Sequence, residues 1–268
     1  MEVIIDAILV GLVIGVVVGL LGAGGGILSV PVLVYLLGQD AHDAAAGSLV
    51  IVGLTSVVSL IPRLRQGTIN WRDGSLFGLI SVVGALIGAR VSVLVPEVMV
   101  MLIFGVLLVV VAIIMAKRGR KDLLAERKQH SEPQSGAVDT GPTRRRGIVA
   151  IILAATCIGI LTGFFGVGGG FAIVPMLVLV LGFTMREASS TSLLVMIISS
   201  VSGLLGRIGT DVHIDLSVVL PFAIASMVGG LVGGTVTKRF RDSLLTIAFS
   251  VLLAVVAVYV LTVNIMAL

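Results

Sequence analysis

The chain has 268 residues, 57% of them hydrophobic and 12% charged, with a mean hydropathy of +1.21. Soluble domains carry about 25% charged residues, so composition excludes an ordinary soluble protein, and the repeated apolar runs of the roughly 20 residues needed to cross a bilayer mark a multi-spanning membrane protein. The net charge of +4 does not point to nucleic acid, because the basic residues gather in loops, as the positive-inside rule requires; continuous rather than alternating apolar runs exclude a membrane β-barrel.

Val3 to Leu21 is the first apolar run. It has neither a basic leading segment nor a cleavage site before a soluble domain, so it reads as a span rather than a signal peptide. Gly22-Ala23-Gly24-Gly25-Gly26 then interrupts it. Each glycine costs a helix roughly 1 kcal/mol relative to alanine, so four in five positions break it. Ile27 to Leu37 is a shorter run containing Pro31, followed by the polar loop Gly38-Gln39-Asp40-Ala41-His42-Asp43. Ala44 to Ile61, Gly74 to Val95 and Val98 to Ala116 complete a first unit of residues 1–116. Residues 117–147 carry nine Lys and Arg with few apolar side chains. They read as a solvated, flexible linker, in preference to a headgroup-binding segment.

Residues 148–268 repeat this plan. Gly166-Val167-Gly168-Gly169-Gly170, with Pro175, lies 144 positions after the first glycine cluster. At the same offset Ser192 matches Ser48 and Arg207 matches Arg63, while Gly229 and Gly233 match Gly84 and Gly88 at an offset of 145. The expected fold is therefore an all-α polytopic membrane protein of two homologous repeats, each a glycine-broken helix pair plus three transmembrane helices. If each broken pair enters and returns, the repeats are inverted. That arrangement gathers the linker, Arg63, Arg65, Arg72, Arg186, Lys238, Arg239 and Arg241 on one side, and Asp6, Asp40, Asp43, Glu97, Asp211 and Asp215 on the other. Only Arg207 is clearly misplaced and Arg90 is ambiguous, so inversion is preferred, with the linker in the cytoplasm and the chain in the plasma membrane.

A helix break inside a bilayer must be buried in protein or face a water-filled cavity. Two breaks at corresponding places in two halves point to a transporter's binding site. The short helix after each cluster would aim its N-terminus at mid-membrane, and helix N-termini attract anions. The candidate substrate-binding residues are Gly22, Gly24, Gly25 and Gly26 with Ser48, and Gly166, Gly168, Gly169 and Gly170 with Thr191 and Ser192. The serines have a competing use, a bond to their own helix backbone. Ser29 and Ser190 are further candidates, as are Arg63 and Arg207, for which an interfacial anchor is the preferred reading. For Gly84/Gly88 and Gly229/Gly233 the spacing favours close helix packing. The near absence of carboxylates from the spans argues for an anionic substrate over a cation. No metal-ligand spacing, nucleotide loop or cofactor motif is present, and an enzyme is not expected.

The segments Gly19-Leu20-Leu21-Gly22-Ala23-Gly24-Gly25-Gly26 with Pro31, and Gly163-Phe164-Phe165-Gly166-Val167-Gly168-Gly169-Gly170 with Pro175, together with Ser48-Leu49 and Ser192-Leu193, resemble the TauE/SafE family of membrane proteins. The resemblance covers nearly the whole chain. It implies secondary transport, often export, of sulfite, sulfoacetate or another small organosulfur or carboxylate anion. An anion channel and a non-transporting membrane scaffold remain as alternatives. Lipid bilayer and anion are the expected partners; the coupling ion and the oligomeric state are open.

Overall fold

The computed structural model describes residues 2–22, 25–131, 148–210 and 212–266, and every regular element among them is helical. The helices are α1 (Glu2–Leu21), α2 (Gly26–Tyr35), α3 (Ala41–Leu64), α4 (Trp71–Ser92), α5 (Glu97–Ser131), α6 (Ile148–Phe165), α7 (Gly170–Met176), α8 (Met185–Gly206), α9 (Leu216–Val236) and α10 (Asp242–Met266). Six of them, α3, α4, α5, α8, α9 and α10, are long and apolar enough to cross a membrane. The protein is a multi-pass integral membrane protein. Its burial pattern agrees: Val13, Leu79, Leu153, Ile224 and Val255 face outward, whereas Ser48, Thr55, Ser56, Ser81, Ser199 and Ser200 are buried.

The breaks fall where the glycines predict. α1 ends at Leu21 and α2 resumes at Gly26, while α6 ends at Phe165 and α7 resumes at Gly170. α2 has 10 residues, about 15 Å at 1.5 Å per residue, which is half a bilayer. α7 has 7 residues and continues into one π-helical turn, Leu177–Leu181. α3 runs through Pro62 to Leu64, which keeps Arg63 on the helix. α5 continues 15 residues past Ala116, because the stretch read as linker opens with good helix formers and an Arg118–Asp122 ion pair one turn apart, at 3.4 Å. The rest of that stretch, 132–147, lies outside the described residues.

Facing residues fix the helix directions. Gly11, Gly15 and Gly19 of α1 lie against Phe222, Ser226 and Gly230 of α9, so these two helices run parallel. The same holds for α4 and α6, where Gly84 and Gly88 meet Thr156 and Ile160. It holds for α3 and α9 through Ser59 on Gly230 and Pro62 on Gly234, and for α4 and α8 through Gly74 on Thr191 and Gly78 on Ile198. The central pair α3 and α8 is antiparallel: Leu49 meets Gly203, Gly53 meets Ser200, and Arg63 reaches Ser189. α1, α3 and α9 therefore point one way and α4, α6 and α8 the other. α5 and α10 pack antiparallel, with Gly105 on Leu261 and Gly119 on Ile247.

Loops collect by charge at the two ends of the bundle. At one end Arg186 pairs with Asp242 at 3.4 Å and donates to the Phe240 carbonyl. Arg65, Gln66 and Lys238 line a cavity of about 330 Å³ there, and Arg118 lies near Thr184 and Asp242. At the other end the Asp43 carboxylate accepts the His213 amide at 2.8 Å, so the loops before α3 and α9 meet. Asp215 caps α9 at that end, and the hydroxyl and amide of Ser217 hold its carboxyl below the usual range.

Small residues bring the backbones together without an intervening side chain, the packing that membrane helices favour. A methyl on Gly15 would overlap the Ser226 carbonyl, and one on Gly163 the Ala85 carbonyl. On Gly105 it would meet only the tip of Leu261. Gly15→Val should therefore lower stability by about 3 kcal/mol, the upper range for overpacking, with Gly105→Ala costing less. Thermal unfolding of the detergent-purified protein checks this; equal midpoints for the two variants would refute backbone-to-backbone packing.

Candidate functional site

The two glycine turns meet. A methyl on Gly26 would overlap the backbone of Val167, so the start of α2 lies directly on the turn between α6 and α7. Gly168 lies on Val52, near the middle of α3. Gly22 and Gly166 open the turns with φ of 61° and 64°, the left-handed region that glycine adopts at no steric cost. Each turn is held by the opposite half. Ser192 on α8 donates to the Gly22 carbonyl at 2.7 Å, and Ser48 on α3 donates to the Gly166 carbonyl. Both serines also share their hydrogen with a carbonyl three residues back in their own helix. The two expected uses of these hydroxyls thus coincide in one bifurcated bond.

The first four amides of a helix have no partner within it, and those of α2 and α7 begin at the meeting turns. The N-terminal residue of α2 packs inside this junction with Gly25, whose added methyl would lie 3.1 Å from Val18 and 3.4 Å from the Ser29 hydroxyl. On Gly169 a methyl would overlap the Thr162 hydroxyl. Gly24 lies outside the described residues.

Arg63, expected as an interfacial anchor, is fully buried. Its guanidinium donates to the carbonyls of Gly19 at 2.7 Å and Leu20 at 3.2 Å, the open carbonyls at the end of α1. It also donates to the hydroxyls of Ser189 (3.1 Å), Ser190 (2.9 Å) and Thr237 (3.1 Å). Carbonyls at a helix C-terminus carry partial negative charge, so a buried cation caps the broken helix without a carboxylate. Ser190 is thereby a scaffold residue, further tied to Thr68 at 2.8 Å. Thr191 accepts the Asn70 amide at 3.1 Å and packs on Gly74, away from the turns. Arg207 is also buried, at 6% exposure. Its Nη1 donates to the Gly203 carbonyl at a long 3.5 Å, and its Nη2 has no partner.

Several residues of the junction escape a reading of the sequence. The buried hydroxyls of Thr55, Ser56, Ser59, Thr162 and Ser200 have no partner, nor has that of Ser29, which the sequence does offer as a candidate, although buried polar groups are ordinarily bonded. Ser59 and Thr55 face Gly230, and Ser200 faces Gly53. They make the heart of the α3 and α8 crossing polar and free of charge. A signal was available: Ser199 and Ser200 follow Thr55 and Ser56 by the same 144 positions that separate the glycine clusters.

Comparison with known proteins agrees with this architecture. The family described as sulfite exporter TauE/SafE matches residues 7–260. A probable membrane transporter protein of Xylella fastidiosa is 31% identical over 94% of this chain and 92% of its own length. Probable membrane transporter proteins of Methanocaldococcus jannaschii and Bacillus subtilis are each 26% identical, over 95% and 93% of this chain and 94% of their own lengths. No solved structure matches the chain.

The Arg63 cage makes a thermodynamic prediction. Arg63→Met removes the charged donor from two buried carbonyls and leaves them only the Thr237 hydroxyl, 3.2 Å from each, at up to about 1–3 kcal/mol for each carbonyl. The expected loss is about 2–6 kcal/mol, against about 1–3 kcal/mol for Ser192→Ala. Denaturation midpoints in detergent test the order; an Arg63→Met variant as stable as wild type would show that the cage does not hold the break.

Proposed function

We propose a function from one premise: the chain belongs to the TauE/SafE sulfite exporter family. It is a membrane transporter, and its substrate is a small anion such as sulfite, sulfoacetate or another organosulfur or carboxylate anion, moved outward. Transport proceeds by alternating access at a site between two inverted repeats, residues 1–116 and 148–268. The site is the junction of the glycine turns: Gly22, Gly24, Gly25 and Gly26 with Ser29 and Ser48, and Gly166, Gly168, Gly169 and Gly170 with Ser192.

The observation that carries this reading is the contact of Gly26 with Val167. It brings two helix starts, each positive by its dipole, to one place in the bundle interior. Their amides and the partnerless hydroxyls nearby offer donors to an oxyanion without burying a formal charge, which is expensive in a membrane. The antiparallel crossing of α3 and α8, and the opposite directions of α1 and α6, support inversion. So does the Asp43–His213 contact, which a parallel duplication would forbid by placing those loops at opposite faces. The basic residues at the other end support a cytoplasmic location for that end and for the linker, in a plasma membrane.

Counterflow of labelled sulfite or sulfoacetate in proteoliposomes tests the reading. Saturable exchange is expected; absence of saturable flux for any small anion overturns it, and a current linear in anion concentration without counterflow would favour a channel. Within the site, Gly169→Ala should abolish exchange because its methyl meets the Thr162 hydroxyl. Gly25→Ala, whose nearest contact would be 3.1 Å, should retain a measurable part. Cysteines at positions 40 and 213 in a Cys157→Ser background should both label from one side; labelling from opposite sides would exclude inversion.

A further inference from the structure

We infer that Arg207 is a substrate-recognising residue, the group that receives an oxyanion at one end of the site just proposed. The inference rests on that transport reading and adds to it a residue and a side.

The comparison with Arg63 carries the argument. The two arginines end the two central helices of the bundle, 144 positions apart. The two terminal nitrogens of Arg63 meet five acceptors, among them Ser189 and Ser190 on the facing helix, and only its Nε lacks a partner. In the α3/α8 pair the numbers of facing residues add to 252 or 253: Leu49 with Gly203, Gly53 with Ser200, Arg63 with Ser189 and Ser190. The same register sets Arg207 opposite Ala45 and Ala46. Where one arginine finds two hydroxyls, the other finds two methyls. Its Nη2 is left without a partner on a residue only 6% exposed.

A desolvated guanidinium with unused donors is expensive. The fold shows at Arg63 how it satisfies such a group, and the matching positions on the facing helix lack the hydroxyls to do so. A ligand that supplies the acceptors completes the set. Ala45 is also the residue on which Gly166 lies, so the register sets Arg207 at the level of the second glycine turn. Arg207 further belongs to the end of the bundle that carries Asp43 and Asp215, where the positive-inside rule gives no reason for a cation. The other arginine there, Arg90, is exposed and donates to the Ile208 carbonyl at 3.4 Å. The planar fork of a guanidinium matches sulfonate, sulfite or carboxylate oxygens in pairs. Arg207 therefore selects anions of that class, whereas Arg63 holds the scaffold.

Two measurements on the full chain test this. The first is counterflow of sulfite and of sulfoacetate in proteoliposomes. Arg207→Gln should raise KM roughly tenfold or more, the loss expected for a hydrogen bond to a charged group, and Arg207→Lys should recover part of it. Ala45→Ser/Ala46→Ser supplies the missing hydroxyls. It should raise the melting temperature and also raise KM, by occupying the donors, and it should add nothing to Arg207→Gln. The second is the melting-temperature shift of detergent-purified protein with sulfite or sulfoacetate, against chloride. The wild type should be stabilised and Arg207→Gln should not. An Arg207→Gln or a double-serine variant with wild-type KM overturns the inference and leaves the transport reading standing. A wild type without counterflow, but with an anion shift lost in Arg207→Gln, overturns transport and leaves the anion site standing. Absence of both overturns both.

Discussion

A helix broken inside lipid leaves backbone groups that no solvent can satisfy, and the arrangement of this protein follows from how those groups are met. The carbonyl of Gly22 is taken by Ser192 and that of Gly166 by Ser48. The end of α1 is taken by Arg63. Apart from the Thr237 hydroxyl, which also reaches the end of α1, these donors come from the two central helices. α3 and α8 must therefore cross at the breaks, and must run antiparallel so that the eighth residue of each, Ser48 or Ser192, reaches the glycine turn belonging to the other half. Once that crossing is fixed, α1 lies along α9 and α6 along α4, since each broken helix must pack beside its own turn. Glycine at Gly15, Gly19, Gly159 and Gly163 then lets those pairs approach to backbone contact.

The same constraint explains why the middle of the α3 and α8 crossing, between the buried arginines at its ends, is polar without being charged. A carboxylate or an ammonium would demand a partner at every stage of a conformational cycle, whereas a hydroxyl can bond its own helix when nothing else is near. Ser48 and Ser192 do both at once. The unpaired hydroxyls of Thr55, Ser56, Ser59 and Ser200 lie on the helices that such a cycle would shift. A group left open in one packing of two helices is available to the other packing, or to a passing ligand.

What the sequence makes legible is what depends on local composition. The helix breaks follow from glycine content, the short helices from the distance between a glycine cluster and the next polar loop, and the sorting of charge between the two ends from the positions of Lys and Arg. The Arg63 cage is not legible in this way, because its acceptors stand 126, 127 and 174 positions away. Placed two residues past the visible end of an apolar run, an arginine reads as an anchor, and only the packing of α1, α8 and α9 around it makes it a cap. The extension of α5 is missed for the opposite reason. Its sequence from Lys117 is polar enough for a linker, yet it contains helix formers with Gly119 resting on Ile247, and tertiary support decides the outcome.

The departures from symmetry are the last consequence, and the most informative about direction. Two inverted copies with identical contacts would hold both gates with equal strength, and neither face would be preferred. Here α2 is a regular helix while α7 passes into a π-helical turn. A methyl on Gly169 would overlap Thr162, while one on Gly25 would be tight but not overlapping, 3.1 Å from Val18. One arginine is bound from five sides and its counterpart by one long bond. Of these differences, the one between the arginines leaves a terminal guanidinium nitrogen unpartnered in the second half, Nη2 of Arg207. On the transport reading proposed above, the end that carries Arg207 is the one a ligand would complete, and the end that carries Arg63 is the one the protein's own bonds hold. Under alternating access such unequal ends would open with unequal ease, so the sense of transport would rest on which residues lack partners, not on the overall plan of the helices.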